Sequence, residues 1–89
     1  MSLSNDQIRC QLRGFLLRQF LPGEDPRTLA EDTPLFGRGI LDSISILQYT
    51  VFIEKQFGVA LRGQDLTRRS LDTIASAAAL IESRQGRDR

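Results

Sequence analysis

The sequence predicts a small all-α domain, a bundle of three main helices and one short helix with a long first loop. Two observations predict it: apolar residues recur at helical spacing in separate segments, and residues that start or stop helices flank those segments. The one β-like run, residues 59–61, has no partner strand, so we interpret it as an extended connection. A chain of 89 residues is long enough for one modest core and too short for two.

The first helix is predicted to start at Ser4. Ser4 and Gln7 have the spacing of a capping box, in which each side chain satisfies a backbone N–H of the other residue. The predicted buried face consists of Ile8, Leu12, Phe15 and Leu16. Three arginines lie largely off this face and are interpreted as solvated: Arg9, Arg13 and Arg18. The helix should end near Phe20 or Leu21, because a Pro-Gly pair follows.

A long connection follows, from residue 22 to residue 39. A coil of that length is uncommon in a compact domain, so we expect apolar residues to pin it to the core. The candidates are Leu29, Leu35 and Phe36. A short helical turn is predicted over residues 33–36, with Thr33 as its cap and Pro34 at its first position.

The second helix is predicted from about Ser43 to Phe57. Asp42 is a good N-cap for it, and Gly58 is a suitable residue to end it. Its apolar residues form two faces. The first is Ile44, Leu47 and Val51; the second is Ile46, Tyr49 or Thr50, Ile53 and Phe57. An apolar surface this wide fits either a helix buried between others or a helix with an exposed docking face.

The remaining helices are predicted in the last third of the chain. A short third helix is placed within residues 62–69, over Gly63 to Thr67, with Leu66 directed inward. Ser70 is the predicted cap of a last helix over residues 71–83, whose buried face is Leu71, Ile74, Ala78 and Ile81, with Ala75 beside them. We place the domain at residues 1–84 and interpret residues 85–89 as a flexible C-terminal tail.

Composition excludes several classes of function. The net charge of +1 lacks the basic excess of a nucleic-acid binder. The absence of histidine excludes Ser-His-Asp or Cys-His catalysis, and one cysteine cannot build an ordinary zinc site, so a free-standing enzyme is not expected and no metal is predicted. Without a long apolar run or a leader-like segment, neither a membrane span nor a signal peptide is predicted. The lone Cys10 fits a reducing compartment, and we expect a cytoplasmic protein.

Ser43 is the main candidate for chemistry. It lies at the predicted start of the second helix, where free backbone N–H groups and the positive end of the helix dipole favour an attached phosphate. The tripeptide Asp42-Ser43-Ile44 resembles the Asp-Ser-Leu signature of acyl carrier proteins. The resemblance extends from Leu3 to Ile81 through further matching segments: Leu35-Phe36, Ile53-Glu54, Phe57-Gly58, Asp65-Leu66 and Ser70-Leu71-Asp72-Thr73-Ile74-Ala75.

This resemblance implies a non-catalytic carrier. A phosphopantetheinyl transferase, with magnesium at its own site, would attach 4′-phosphopantetheine covalently to Ser43, and the arm would hold acyl or aminoacyl groups as thioesters. Asp42 would cap the helix and contact the transferase. Partner enzymes, among them an acyl or aminoacyl ligase and later acyl-processing enzymes, are expected to bind at Ile44, Gln48 and Val51. A carrier that visits several partners is expected to be a monomer.

The sequence departs from the family in its charge. Typical fatty-acid carriers are acidic along the second helix, whereas this chain is near neutral and has Ser45 and Gln48 where acids are often found. The second helix offers Ile46, Tyr49 and Phe52 instead, so docking is predicted to depend more on apolar contact than on charge. This favours a specialised pathway, such as polyketide, non-ribosomal-peptide or aminoacyl-transfer biosynthesis. The first alternative is a small helical interaction module without the arm. A nucleic-acid-binding helical domain is the second alternative, favoured less.

Overall fold

A computed structural model of the chain describes residues 4–23, 25, 29–63 and 67–87. Within these residues the protein is helical, with α1 over Asn5–Phe20, α2 over Ser45–Phe57, α3 over Arg68–Leu71 and α4 over Ile74–Arg87. The predicted all-α class, with three main helices and one short one, is confirmed. In the described part of the chain, no helix is long and apolar enough to cross a membrane.

Helix α1 begins with the predicted capping box. The Ser4 side chain accepts from the Gln7 amide, and the Gln7 side chain accepts from the Ser4 amide at 2.9 Å. Ile8, Leu12 and Leu16 are buried, and α1 packs most extensively against α4. Burial of these three apolar side chains stabilises the domain through the hydrophobic effect.

The long first loop is pinned to the core by apolar side chains, as predicted. Leu29 and Leu35 are buried, and Phe36 is half-buried. A turn follows in which the Arg38 amide donates to the Pro34 carbonyl at 2.8 Å. Thr33 does not cap this turn: its Oγ1 accepts instead from the Ala30 amide, at 3.0 Å.

Helix α2 separates its two apolar faces between core and surface. Tyr49, Ile53 and Phe57 are buried. The other face is exposed, with 69% of Ile44, 61% of Leu47 and 48% of Val51 accessible to solvent. Of the two arrangements that fit the sequence, the structure has the exposed apolar face.

The bounds of α2 differ slightly from the prediction. Regular helix begins at Ser45, two residues later than predicted. It ends at Phe57, as predicted, and the C-cap is Gly58, whose left-handed φ of 66° suits glycine. The segment 59–61 is neither helix nor strand, in agreement with its interpretation as a connection, and Val59 is buried in the core.

The predicted boundary between the last two helices is wrong. Ser70 lies inside α3, which Thr67 caps by accepting from the Ser70 amide, and α4 is capped by Thr73, which accepts from the Ser76 amide at 3.0 Å. The predicted position of Leu66 lies outside the described residues. The predicted buried face is present, since Leu71, Ile74, Ala78 and Ile81 are all fully buried, whereas Ala75 is exposed.

Helix α4 continues to Arg87, beyond the predicted end at residue 83. The boundary predicted between the domain (1–84) and its tail (85–89) therefore falls within a helix. Residues 88 and 89 lie outside the described residues.

Candidate functional site

The candidate site is a turn that leads into α2, and buried leucines hold it. The Leu35 carbonyl accepts from the amides of Ile40 at 2.9 Å and Leu41 at 3.2 Å. Gly39 makes the reversal with a left-handed φ of 76°, which a side chain would strain. Leu41 is buried, so the chain is anchored immediately before Asp42 and Ser43 reach the surface.

A second set of hydrogen bonds ties this turn to the junction between α3 and α4. The Asp72 carbonyl accepts from the Leu35 amide at 2.6 Å, and the Asp72 carboxylate accepts from the Phe36 amide at 3.0 Å. One residue thus satisfies two consecutive amides of the loop. The role of Asp72 was not predicted, because nothing in its local sequence indicates a partner 36 residues away.

Two arginines of α1 hold the start of the same loop. Arg9 forms ion pairs with Asp6 and Glu31, and Arg13 Nε donates to the Leu29 carbonyl at 3.0 Å. The hydrogen bond from Arg9 holds the pKa of Glu31 below its usual value. The interpretation of Arg9 and Arg13 as merely solvated is therefore wrong, since both attach the loop to α1.

Asp42 organises the start of α2. Its carboxylate accepts from the Ser45 amide at 2.8 Å and the Ile44 amide at 3.0 Å, and its carbonyl accepts from the Ile46 amide at 2.9 Å. This is the hydrogen bonding of an N-cap, although regular helix begins only at Ser45. The amides of Ser45 and Ile44 hold the pKa of Asp42 below its usual value, so Asp42 is a carboxylate at neutral pH.

Ser43 is exposed between this cap and the helix. Its position differs from the prediction in one respect: the amides of Ile44, Ser45 and Ile46, expected to face a phosphate, already donate to Asp42. An anion on the Ser43 hydroxyl would therefore meet the positive end of the α2 dipole rather than a set of free first-turn amides.

Apart from the Asp42 carboxylate, the surface beside Ser43 carries no charge and is mostly apolar. Ile44, Leu47, Gln48 and Val51 are all exposed, and the first turn of α2 has no acidic residue. The nearest acid along the helix, Glu54, accepts from the Leu61 amide at 2.9 Å. Of the apolar residues predicted to meet partners in place of acids, Tyr49 is buried and Ile46 and Phe52 are half-buried, so the prediction for Tyr49 is wrong.

The interior beneath this surface holds an aromatic cluster that includes Tyr49. Phe15 of α1 stacks on Phe52, with ring centroids 4.1 Å apart, and on Tyr49, at 6.1 Å. Tyr49 is fully buried, and its hydroxyl has no hydrogen-bond partner among the described residues. Burial raises the pKa of Tyr49, because the phenolate would lose its hydration. No group of three or more Cys, Asp or Glu side chains in the described residues could hold a metal ion.

Comparison with known proteins identifies the family of the chain. The chain belongs to the phosphopantetheine attachment site family, whose model matches residues 17–81. Domains of this family are carriers that bear covalently attached 4′-phosphopantetheine, and in general they are not catalysts. The predicted resemblance to acyl carrier proteins is thereby confirmed.

One relative is the lincomycin biosynthesis protein LmbN of Streptomyces lincolnensis. The chain is 36% identical to it over 66 residues, which are 74% of this chain and 24% of that protein. The chain thus spans about a quarter of the length of the relative it matches.

Proposed function

We propose that Ser43 is the attachment point of 4′-phosphopantetheine and that the protein carries acyl or aminoacyl groups in a specialised biosynthetic pathway. The observation that carries the proposal is the exposed Ser43 hydroxyl, held between the Asp42 cap and α2 in a chain of the phosphopantetheine attachment family. The relative LmbN is named a lincomycin biosynthesis protein, which supports a role in specialised biosynthesis.

The residues around Ser43 fit a covalently attached phosphopantetheine arm. Buried Leu41 and the Asp42 cap fix the backbone on both sides of Ser43, so a transferase meets the hydroxyl in a defined position. The Ser43 oxygen would form a bond to the phosphorus that bears the pantetheine, and the pyrophosphate P–O bond of coenzyme A would break, so that 3′,5′-ADP leaves. The Ser43 proton would pass to a base of the transferase or to water. When attached, the arm supplies a thiol that holds the acyl group as a thioester. Asp42, a carboxylate beside Ser43, is proposed to contact the transferase.

Ser45 provides a matched control for the attachment. Its hydroxyl is only two residues away, but the Ser45 side chain is partly buried and its amide is bonded to Asp42. We propose to incubate the apo chain with coenzyme A, magnesium and a permissive transferase, then measure its intact mass. One phosphopantetheine adduct is expected on the wild type and on Ser45→Ala, and none on Ser43→Ala.

The outcomes separate the candidate functions. An adduct that persists in Ser43→Ala would move the attachment to another residue. No adduct on the wild type with any transferase would refute the carrier proposal and favour an interaction module without the arm. Such a module would use the same exposed face of α2, so binding of a partner alone does not distinguish the two.

Partner enzymes, an acyl or aminoacyl ligase among them, are proposed to dock on Ile44, Gln48 and Val51. Charge steering should be weak here, because the proposed docking residues are uncharged and Lys55, one turn beyond Val51, is the nearest cation along α2. Val51→Asp is expected to slow modification or loading without loss of stability, since Val51 is half exposed. Ala79→Asp, an exposed apolar position on α4, is the control and should leave the rate unchanged. Equal slowing by both variants would contradict docking through α2.

A further inference from the structure

The turn that leads to Ser43, residues 35–41, has a buried side chain at each end. Leu35 is fully buried, and only 2% of Leu41 is accessible to solvent. Hydrophobic contact is not directional, so these two anchors fix how deeply the turn lies in the domain. On their own they would leave the turn free to pivot about the line that joins them. A directional contact away from that line is needed to fix the orientation of the turn.

Asp72 makes such a directional contact. Its carboxylate accepts from the Phe36 amide at 3.0 Å, and its carbonyl accepts from the Leu35 amide at 2.6 Å. A carboxylate forms a stronger hydrogen bond than a neutral acceptor does. Asp72 is also half-buried, so water competes with these bonds only in part. Asp72 thus fixes the first two amides of the turn.

The junction that carries Asp72 is itself held firmly. Leu71 and Ile74, on either side of it, are fully buried. The Ala75 amide donates to the Glu31 carbonyl at 3.0 Å, which attaches the junction to an earlier part of the first loop. The position of Asp72 is therefore set by the core and by the start of the loop, so Asp72 can impose an orientation on the turn.

Hydrogen bonds within the turn extend this hold toward Ser43. The Leu35 carbonyl accepts from the amides of Ile40 and Leu41, at 2.9 and 3.2 Å. The Asp42 cap and Ser43 follow directly in the sequence. Because the Leu35 amide is bonded to the junction between α3 and α4, this one residue connects that junction to the chain immediately before the serine.

We propose that Asp72 is a positioning residue for the transfer of phosphopantetheine to Ser43. The proposal rests on the proposed attachment at Ser43. Asp72 takes no part in the bond changes; its hydrogen bonds keep the turn in the orientation that a transferase binds. If that orientation is populated for only part of the time, the KM for the carrier rises in inverse proportion to the populated fraction. The kcat, which describes carrier already bound, stays the same.

Two variants of Asp72 grade this effect. Asp72→Ala removes the side-chain acceptor, whereas Asp72→Asn keeps an acceptor oxygen without its charge. Initial rates are measured against the concentration of apo carrier, with coenzyme A, magnesium and one transferase. We expect the KM for the carrier to rise by up to about fivefold in Asp72→Ala, the factor that corresponds to a lost hydrogen bond of about 1 kcal/mol. A rise of at most about twofold is expected in Asp72→Asn, and the kcat of both variants should equal that of the wild type.

Ser4→Ala is the matched control. It removes the cap of α1, and loss of such a cap also costs about 1 kcal/mol. Ser4 lies far from the turn in the sequence, and its side chain is bonded to Gln7 instead. Ser4→Ala should therefore lose stability without any change in KM. An equal rise in KM in Ser4→Ala and Asp72→Ala would overturn the proposal, because general loss of stability would then explain both.

Hydrogen exchange of the isolated apo carrier separates positioning from a direct contact between Asp72 and the transferase. The Ile40 and Leu41 amides should exchange faster in Asp72→Ala, relative to the amides of buried α4 residues, and not in Ser4→Ala. A raised KM without this faster exchange would make Asp72 a contact of the transferase and overturn the proposal. If Asp72→Ala does not fold, the same two measurements on Asp72→Asn decide, with smaller changes expected.

The remaining outcomes keep the two proposals apart. An unchanged KM in folded Asp72→Ala, or a fall in kcat alone, would overturn the positioning role while the attachment at Ser43 stands. Absence of any adduct on the wild type would refute the proposed function, and the positioning role with it.

Discussion

Replacing Tyr49 with phenylalanine is expected to stabilise the protein. The Tyr49 hydroxyl is buried and has no hydrogen-bond partner among the described residues, whereas in the unfolded chain it is hydrated. Leaving a buried polar group unpaired costs about 1–3 kcal/mol. Phenylalanine keeps the ring that packs against Phe15, so we expect a gain of about 1 kcal/mol, or a Tm higher by about 4–8 °C.

Urea denaturation measures this difference, and Thr50→Val is the control. Thr50 is also a mostly buried residue of α2, but its hydroxyl donates to the Ile46 carbonyl at 2.7 Å. Valine has nearly the same shape, so this variant loses a hydrogen bond that is made. We expect it to lose about 0.5–1 kcal/mol rather than gain. The two hydroxyl deletions should therefore have opposite signs.

Alkaline pH tests the same argument independently. The folded-state pKa of Tyr49 is raised above its ordinary value of 10.0, so the folded protein resists ionisation while the unfolded chain ionises. The stability that comes from this difference in pKa between the folded and unfolded states is fully present below pH 10 and is lost as the pH rises further. Tyr49→Phe should lack this component of alkaline unfolding, and tyrosinate absorbance in the wild type should appear together with unfolding.

Two results would refute the reasoning. If Tyr49→Phe is no more stable than the wild type, the hydroxyl has a hydrogen-bond partner, such as a bound water. If tyrosinate absorbance rises near pH 10 while the protein stays folded, Tyr49 is not buried as described.

Two further predictions concern the backbone. Gly58→Ala should cost about 1 kcal/mol, because a Cβ there contacts no atom within 4 Å and only the strain of φ 66° acts. Gly63→Ala, with equal space and no positive φ, should be neutral or slightly stabilising in the same urea titration, and equal losses would contradict the strain argument. Asp72→Ala should cost about 1 kcal/mol and speed hydrogen exchange at the Phe36 amide, whereas Asp72→Asn, which keeps an acceptor oxygen, should do less. Unchanged exchange at Phe36 in Asp72→Ala would show that the amide has another partner.

Local sequence signals predicted the elements that depend on local interactions. The capping box of Ser4 and Gln7 and the stop at Gly58 are present. The predicted buried faces of α1 and α4 are also present, except that Phe15 is half-buried and Leu71 belongs to α3. The sequence could not decide which apolar face of α2 is exposed, because both faces have helical spacing. That choice follows from where the other elements pack.

The α3–α4 boundary was missed because long-range hydrogen bonds decide it. The Asp72 carbonyl is occupied by the Leu35 amide, and the Ala75 amide donates to the Glu31 carbonyl at 3.0 Å. In a continuous helix these two groups would bond within the helix instead. The break therefore falls at residues 72–73, and Thr73 becomes the cap rather than Ser70, which lies within α3.

At the candidate site, Ser43 and the near-neutral surface of α2 could be identified from residue types alone. The bonds by which Asp72, Arg9 and Arg13 hold the loop could not be predicted. Each of these residues contacts a residue distant in the sequence, and its own neighbours in the sequence give no sign of that contact. The unpaired hydroxyl of Tyr49 also could not be predicted from the sequence, since a tyrosine fits the helical pattern at either a core or a surface position.

The hydrogen bonds between Asp72 and the turn that leads to Ser43 affect when this turn can form during protein synthesis. A ribosome delivers residues 35–43 well before residue 72, and domains form as the chain emerges from its N-terminus. Until Asp72 has been made, the hydrogen bonds that it accepts from the Leu35 and Phe36 amides cannot form. The turn that holds Ser43 can thus take the shape described above only after residue 72 has been made, so the folded domain, rather than its first half, presents the serine on which the proposed modification would act.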